Sequence, residues 1–303
     1  MVTIRDVAKH AGVSIKTVSR VVNNQSEVSP DTREKVQQVI SELDYHPNTI
    51  AQSLVNGRTN TIGVVIPYDT KYVFSHPFFA EVIRGIAEVL SVNSYNLLLN
   101  LAHSKEPYSK LYSQRKVDGL ILMSIPMDDP GIKGLDEIGA PWVCTCRLSD
   151  TGESNINFVD ADFEGGVGLA VDHLISLGHR RIGLLTGPEN LASVKLRKRG
   201  YLNALKKNNM LINGGYVLAG DFTSESGYAL ASQIMRNPSP PSALVCGDDM
   251  MAFGAIKAVT ELGYSVPEDV SIIGFDDVSL AQILNSSINN HSSGHISKRA
   301  RRC

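Results

Sequence analysis

Apolar residues near the start of the chain recur with the spacing of an α-helix. Two apolar faces result, one formed by Ile4, Val7, Ala8 and Ala11 and the other by Val18, Val21 and Val22. Thr3, with Asp6 three residues later, predicts the start of the first helix, Gly12 its end, and Ser14 the start of the second. Residues 13–24 (VSIKTVSRVVNN) are therefore predicted to be helical, because their periodicity outweighs their β-branched composition.

A third helix is predicted to follow. Ser29 is suited to its N-cap and Pro30 to its first helical position. One face of this helix collects four apolar residues, Val36, Val39, Ile40 and Leu43. The first two helices and their tight glycine-containing turn form the pattern of a helix-turn-helix. We therefore expect residues 1–46 to fold as an all-α headpiece.

The second predicted helix carries side chains suited to DNA. Lys16 and Arg20 can donate to guanine, and Ile15 can contact a thymine methyl group. Short polar side chains beside them can bind phosphates. From spacing alone, an ordinary helical hairpin with a solvated face stays open as an alternative. The headpiece residues predicted to bind DNA are Thr3, Ser14, Ile15, Lys16, Thr17, Ser19, Arg20 and Asn23.

Charge is distributed unevenly along this part of the chain. Residues 1–26 have a net charge of +3 and residues 27–46 a net charge of −3, although the whole chain carries only −2. A basic first segment favours a polyanionic partner for that end of the chain.

The segment after the headpiece predicts a short connecting helix. Pro47 can open it and Gly57 can close it, and a helix of this length is marginal alone in water. Residues 47–59 are therefore either a plain linker or a hinge helix that folds on binding.

From Thr61 onward, continuous apolar runs alternate with amphipathic helical patterns. This alternation indicates parallel β-sheets covered by helices on both faces. A second series begins near Asn157, so we expect two α/β lobes, at residues 60–158 and 159–281. Ligands of such sheets bind beyond the carboxyl ends of the strands. The cleft between the two lobes is therefore the predicted ligand site.

Acidic residues follow several of the predicted strands. They include Asp69, the pair Asp248 and Asp249 in GDD, and the pair Asp276 and Asp277 in FDD. Carboxylates at strand ends can accept hydrogen bonds from hydroxyl groups, so a sugar-like or nucleoside-like ligand fits. Capping of the following helices is the alternative, and we favour it for the second aspartate of each pair.

Composition argues against several other classes of protein. The chain has 303 residues, of which 43% are apolar and 20% charged, and no apolar run is long enough to cross a membrane. The N-terminal pattern does not resemble a signal peptide, and four cysteines do not form a disulfide framework. We therefore expect a cytoplasmic protein with reduced thiols.

A solute-binding protein and a metal-dependent enzyme are the two alternatives to a DNA-binding protein. A solute-binding protein would share the two lobes but predicts a secretory signal and no helix-turn-helix. A metal-dependent enzyme would use the GDD and FDD pairs, yet we find no P-loop, no dinucleotide-binding glycine motif and no catalytic triad pattern. We therefore expect no catalytic residue, no cofactor and no bound metal.

Two runs, TIRDVAKHAGVSIKTVSRVVNN and VSPDTREKVQQVISELDYHPNTIAQSL, resemble the N-terminus of the LacI/GalR family of bacterial transcription regulators. The resemblance continues to about Ala281. It implies a helix-turn-helix headpiece on a periplasmic-binding-protein-like body, a homodimer on double-stranded operator DNA, and a small effector, a sugar or a derivative, between the lobes. It also implies that hinge residue Leu54 enters the minor groove as an apolar wedge, with Asn48 and Ala51 facing the DNA.

The resemblance also implies which residues bind the effector. This chain departs from the family where Lys195 replaces the usual arginine, which leaves Arg197 as the candidate to compensate. Asp248 replaces an amide, and Cys146 replaces an aspartate. The predicted effector-binding residues are Tyr68, Asp69, Phe78, Phe79, Lys195, Arg197, Asp248 and Asp276.

After Ala281 the sequence turns polar and basic and stops resembling the family. Permitted codons for Ser286 onward, read one nucleotide later, encode Pro-Pro-Leu-Thr-Thr-Ile-Arg-Gln, close to the family's run at this position. We therefore hypothesise a frameshift near Asn285, either a lesion or a sequencing error, with a disordered basic tail as the alternative. Such a frameshift would replace the family's C-terminal segment by residues 282–303, and it is expected to leave the chain poorly soluble, weakly dimeric and unresponsive to effector. The headpiece, residues 1–46, is expected to fold and to retain DNA binding. Residues 282–303 carry four basic side chains, Lys298, Arg299, Arg301 and Arg302.

Overall fold

The computed structural model describes residues 2–47, 57–101, 107–149 and 156–281. Its internal contacts divide the chain into two compact units, residues 1–60 and residues 61–303. The predicted hinge residues Asn48, Ala51 and Leu54 and the predicted frameshifted tail lie outside the described residues. Among the described residues, no helix is long and apolar enough to span a membrane.

The first unit contains the three helices that the apolar spacing predicts: α1 (Ile4–Ala11), α2 (Ile15–Val22) and α3 (Pro30–Glu42). Gly12 ends α1 with a φ of 65°, in the left-handed region that glycine adopts without steric cost. Ser14 caps α2 and Ser29 caps α3, in each case by accepting an N–H of the first turn. These caps confirm the helix boundaries read from the sequence.

The core of this unit is small and built mostly of valine. Val7, Ala11, Val18 and Val36 are fully buried, and each comes from the apolar face predicted for its helix. Burying one valine side chain stabilises a fold by about 1.5–3 kcal/mol. The three helices therefore hold one another in place, and they leave the opposite face of α2 in contact with solvent.

The second unit begins with a parallel sheet of four strands. Its strands are β1 (Thr61–Ile66), β2 (Asn96–Leu101), β3 (Gly119–Leu122) and β4 (Trp142–Cys144), in the order β2-β1-β3-β4. The helices of this first lobe are α4 (Thr70–Ser75), α5 (Pro77–Val92) and α6 (Ser109–Ser113), and residues Pro130–Ile132 form a 3-10 turn. The sequence pattern predicts all four strands and α5 but misses α4, which is only six residues long.

A second parallel sheet repeats this arrangement. Its strands are β5 (Ile182–Thr186), β6 (Val217–Ala219), β7 (Ala243–Cys246) and β8 (Ser271–Ile273), in the order β6-β5-β7-β8. The helices of this second lobe are α7 (Phe163–Ser176), α8 (Ala192–Lys207), α9 (Ser224–Met235) and α10 (Asp249–Glu261), with a 3-10 turn at Gly214–Tyr216. Two parallel α/β lobes confirm the predicted fold class.

The two lobes differ in how fully their described sheets are covered. Every residue of β5 and β7 is buried, as expected for strands with helices on both faces. In the first lobe, β2 is only partly buried, and Phe79 is the one buried residue of α5. Near the end of α5, Val92 is 86% exposed. This helix therefore presents an apolar surface that the described residues do not cover.

The three cysteines that the structure describes, Cys144, Cys146 and Cys246, are reduced and buried. Burial raises the pKa of the Cys144 thiol to about 12 and that of Cys146 to about 11. A thiol reacts as the thiolate, so both side chains are held in their unreactive form at neutral pH.

Candidate DNA-reading face and interlobe cavity

Helix α2 turns its predicted DNA-binding side chains toward solvent. Ile15 is 45% exposed, so its apolar side chain is accessible to a partner. Lys16 is exposed, and Thr17, Ser19 and Asn23 are half-buried along the same helix. The described structure therefore gathers apolar and cationic groups on one accessible helical face, as major-groove reading requires.

Two of the predicted DNA-binding residues also hold helix ends. The Ser14 hydroxyl accepts the Thr17 N–H at 3.1 Å. The N–H and the hydroxyl of Thr3 both donate to the Asp6 carboxylate, at 2.9 and 2.7 Å. These bonds from Thr3 lower the pKa of Asp6, which stays ionised in the first turn of α1. Ser14 and Thr3 are thus exposed side chains at fixed helix termini, and the Thr3 donors are engaged by Asp6.

Arg20 is held by an acidic neighbour from outside its own helix. Its Nη2 atom lies 2.6 Å from Oε2 of Glu27, and its side chain is 31% exposed. Near the end of the same helix, the Asn23 side-chain amide donates to the Ser19 carbonyl at 2.8 Å. The sequence analysis did not find the Glu27 contact, because the two residues belong to different elements.

In the second unit, a cavity lies between the carboxyl ends of the two sheets. The space between its walls is about 580 Å³, counting the part that is open to solvent. Both lobes contribute to its walls. The lining residues are Tyr68, Tyr72, His76, Phe78, Phe79, Ser124, Thr145, Cys146, Phe163, Leu191, Ser193, Arg197, Phe222, Asp248 and Asp276.

Six of the eight predicted effector-binding residues reach this cavity: Tyr68, Phe78, Phe79, Arg197, Asp248 and Asp276. Asp69 does not line it, since this side chain is exposed and caps α4 by accepting the Tyr72 N–H at 2.9 Å. Lys195 does not line it either, because it lies on the exposed side of α8. Arg197, two residues later, faces the opposite way and supplies the cation.

The Arg197 guanidinium is enclosed by aromatic rings. Its central carbon lies 4.3 Å from the ring centre of Phe163 and 4.5 Å from that of Phe275, and Phe222 adds a third contact at 5.7 Å. Asp276 lies 3.6 Å from its Nη2 atom. Burial lowers the pKa of Arg197, and the Asp276 charge opposes this effect. The cation is therefore held in one orientation at the cavity wall.

Asp276 is the acidic partner of this arginine. Burial raises the pKa of its carboxyl to about 6, while the Arg197 charge acts in the opposite direction. At neutral pH the group is therefore mainly ionised, and it can accept hydrogen bonds from a ligand hydroxyl.

His76 and Asp248 join the two lobes inside the cavity. His76 Nε2 lies 2.8 Å from Asp248 Oδ2, and the two side chains are 8% and 3% exposed. The other oxygen of Asp248 accepts the Met251 N–H at 2.8 Å and so caps α10. Among the described residues, His76 Nδ1 has no hydrogen-bond partner, although it is buried. A ligand in the cavity can supply that partner.

Further hydrogen bonds cross between the lobes. The Tyr72 hydroxyl donates to the Asp221 carbonyl at 3.2 Å, and the Met127 N–H donates to the Asn190 carbonyl at 2.9 Å. Burial raises the pKa of both cavity tyrosines, that of Tyr68 to about 12. Their hydroxyl groups therefore stay protonated and serve as donors.

Asp249 has a structural role beside the cavity, but the prediction that it caps the following helix is wrong, because Asp248 supplies that cap. Its Oδ2 atom accepts the Val278 N–H at 2.8 Å, and burial raises the pKa of this carboxyl to about 8. Asp249 does not line the cavity. Among the described residues, no group of histidine, cysteine and acidic side chains is arranged to hold a metal ion.

The sequence analysis missed several cavity residues, above all Tyr72, His76, Phe163 and Phe222. Tyr72 and His76 lie on or next to α4, a helix too short for periodicity to reveal. Phe163 and Phe222 matter because they pack on Arg197, and one sequence does not show that contact.

Models of two protein families match this chain. Residues 3–48 match the bacterial regulatory proteins of the lacI family, and residues 171–293 match the periplasmic binding protein-like domain. The HTH-type transcriptional regulator CelR of Thermobifida fusca is 36% identical over 283 residues, which cover 92% of this chain and 83% of the relative. The HTH-type transcriptional repressor PurR of Photorhabdus laumondii subsp. laumondii is 36% identical over 297 residues, covering 95% and 84%.

Solved structures agree with these sequence matches. A CelR–cellobiose complex superimposes with a TM-score of 0.70 at 35% identity, covering 93% of this chain and 85% of that one. A lac repressor dimer bound to operator and the anti-inducer ONPF superimposes with a TM-score of 0.80 at 30% identity, covering 99% and 90%.

The chain is a DNA-binding transcriptional regulator with a periplasmic-binding-protein-like body. Its helix-turn-helix headpiece and its two parallel α/β lobes around a cavity define this class. Its relatives are regulators of transcription rather than enzymes. The chain belongs to the LacI family of bacterial regulatory proteins.

Proposed function

We propose that this regulator is a repressor that binds a pseudo-palindromic operator as a homodimer and responds to a neutral, hydroxyl-rich effector in the interlobe cavity. The observation that carries the effector part is the polar set of Arg197, Asp248 and Asp276 inside an aromatic-lined cavity. The DNA part is supported by the exposed face of α2 and by the family of the chain.

The chemistry of the cavity favours a sugar. Asp248 and Asp276 accept hydrogen bonds from hydroxyl groups, and the faces of Tyr68, Phe78 and Phe222 can pack against the C–H surface of a sugar ring. A phosphate ester is disfavoured, because its negative charge would lie close to the carboxylates of Asp248 and Asp276 as well as to Arg197. The relative CelR has been solved with cellobiose, which makes this disaccharide the first compound to test. Nucleosides follow, because the aromatic walls also suit a flat base.

The proposed mechanism couples the cavity to the hinge. Effector binding replaces or strengthens contacts that join the lobes, such as His76 with Asp248, and thereby changes the preferred angle between the lobes. The hinge segments of two subunits then come together or separate. Paired hinge helices would enter the minor groove, where Leu54 would open a base step.

Dimerisation of the first lobe is part of the proposal. Val89 and Val92 of α5 are 64% and 86% exposed, which is costly for apolar side chains on an isolated lobe. A second subunit would cover this surface and give the twofold symmetry that a pseudo-palindromic operator requires.

A thermal-shift screen tests the effector assignment. The full chain is heated with cellobiose, glucose, adenosine and glucose 6-phosphate, and we expect a rise in the melting temperature with a neutral sugar. Asp276→Asn should reduce that rise, because the amide group is a weaker acceptor for ligand hydroxyls than a carboxylate. Asp69→Asn is the matched control outside the cavity and should leave the rise unchanged. Stabilisation by the phosphate ester alone would contradict the proposal.

A binding assay tests the wedge. Leu54→Ala should weaken binding to a selected operator, while the melting temperature of the DNA-free chain stays the same. Equal operator affinity in the variant and the wild type would exclude the wedge role.

A further inference from the structure

We propose that Glu27 is a positioning residue for base reading by Arg20 and that its charge also restrains binding to arbitrary DNA. This inference rests on the proposed function, in which α2 reads the major groove. The observation that supports it is the 2.6 Å contact between Glu27 Oε2 and Arg20 Nη2. Arg20 is a base-reading candidate, whereas Glu27 lies outside the helix and has no place in the predicted contact set.

Glu27 lies in the loop between α2 and α3, and the residues just before it are tied to both helices. The Arg33 guanidinium donates to the Asn24 side-chain oxygen at 3.0 Å and to the Gln25 carbonyl, which ties the loop to α3. The Gln25 N–H donates to the Arg20 carbonyl at 2.9 Å, which ties it to α2. The backbone just before Glu27 is therefore held beside Arg20, within reach of the Glu27 carboxylate.

The geometry suits orientation of a guanidinium. Arginine reads guanine through two parallel N–H groups, which requires that the plane of the guanidinium faces the base edge. A carboxylate that engages one nitrogen restricts the orientations of this plane and leaves other N–H donors available. Arg20 is 31% exposed, so its remaining donors are open to a partner. Glu27 thus lowers the conformational entropy that the Arg20 side chain loses when it binds its base.

The charge of Glu27 has a separate consequence. The carboxylate is 66% exposed beside the DNA-reading helix, where it repels phosphates of any sequence. It also neutralises part of the Arg20 charge until a base offers better hydrogen bonds. The repulsion of phosphates lowers the affinity for every sequence alike. The hold on Arg20 is given up only where the correct base offers better hydrogen bonds, so this second effect raises discrimination.

The test separates positioning from charge with matched variants of the full chain. Glu27→Ala is compared with Glu34→Ala, which removes the same charge from an exposed position on α3. Wild type and variants each select binding sites from a randomised DNA duplex pool, and their affinities are then measured for the selected duplex and for one unrelated duplex. Arg20→Ala identifies the base position that depends on Arg20.

We expect both glutamate variants to bind the unrelated duplex several-fold more tightly than the wild type. Only Glu27→Ala should flatten the base preference at the Arg20-dependent position, with a fall of roughly fivefold or more in the ratio of selected to unrelated affinity, the scale of one base contact. Glu27→Gln should restore part of that preference, because its amide oxygen still accepts from Arg20 while the charge is absent.

Two results would overturn the inference in distinguishable ways. If the wild type enriches a sequence and Glu27→Ala keeps the same base preferences as Glu34→Ala, the positioning role fails while the proposed function stands. If the wild type enriches no sequence at all, the proposed function fails and the role of Glu27 fails with it.

Discussion

Removing the imidazole of His76 should destabilise the regulatory body strongly, and it should do so through Asp248. The two side chains meet across the lobes at 2.8 Å and are 8% and 3% exposed. His76→Ala would leave one oxygen of a buried carboxylate without its partner. Breaking a buried pair in this way costs about 3–5 kcal/mol, more than a surface ion pair of about 0–1 kcal/mol.

A double-mutant cycle isolates the contribution of the pair. Asp248→Ala removes the same contact together with the cap of α10, a further loss of about 1 kcal/mol. In that background no unpaired carboxylate remains, so His76→Ala should cost only the packing of its ring against Tyr72 and Phe79. We therefore expect a coupling energy of about 1.5–3 kcal/mol between the two residues.

Urea unfolding measures this coupling. The chain contains one tryptophan, Trp142 in β4, whose indole N–H donates to the Asp136 carboxylate at 2.8 Å. Its fluorescence therefore reports on the first lobe, which carries His76. Asp69→Ala, which removes the exposed cap of α4, is the control and should show no coupling with Asp248→Ala. A coupling energy below about 0.5 kcal/mol for His76 and Asp248 would refute the reasoning, because independent sites give values of that size.

Three further predictions concern the backbone, pH and the gene. Gly12→Ala should destabilise the headpiece by about 1–2 kcal/mol, because the φ of Gly12 is 65°. Gly85→Ala, in open space within α5, should stabilise the chain by about 0.5–1 kcal/mol. Equal effects of the two substitutions in thermal unfolding would contradict this contrast. Since burial raises the pKa of Asp249 to about 8, the folded chain keeps a proton that the unfolded chain loses above about pH 4. The free energy of unfolding should therefore fall as the pH rises from about 4 to about 8. Asp249→Asn should flatten this pH dependence in urea titrations. An unchanged pH dependence in the variant would exclude Asp249 as its source. Resequencing the gene tests the frameshift: codons for Ser286 to Ser297 that encode no Leu-Thr-Thr-Ile-Arg-Gln in another frame would rule it out.

The parts of the fold that could be predicted are those that local signals determine. Helices α1 to α3 follow from caps and apolar spacing within a few residues, so Thr3, Gly12, Ser14 and Ser29 mark their ends correctly. The strands of both lobes are continuous apolar runs that helices cover, and such runs are visible in the sequence. Helix α4 has six residues and a mixed pattern, so no period could reveal it.

The candidate cavity was predictable only in part. Strand-end position and the family resemblance point to Asp248 and Asp276, but they do not reveal that His76 lies against Asp248, because 172 residues separate the two in sequence. Position in a motif also suggests Lys195, whereas the rotation of α8 brings Arg197 to the cavity. Such pairings depend on how distant elements pack, and a single sequence carries no signal for them.

The short segment from Tyr68 to Phe79 supplies five of the cavity-lining side chains: Tyr68, Tyr72, His76, Phe78 and Phe79. It consists mainly of α4 and the start of α5, and it follows β1 without belonging to either sheet. Substitutions here alter the ligand surface while the strands keep their register. Under the proposed function, substitutions confined to twelve adjacent codons can therefore change much of the effector-contacting surface at once, whereas the other lining residues are spread over distant parts of the gene.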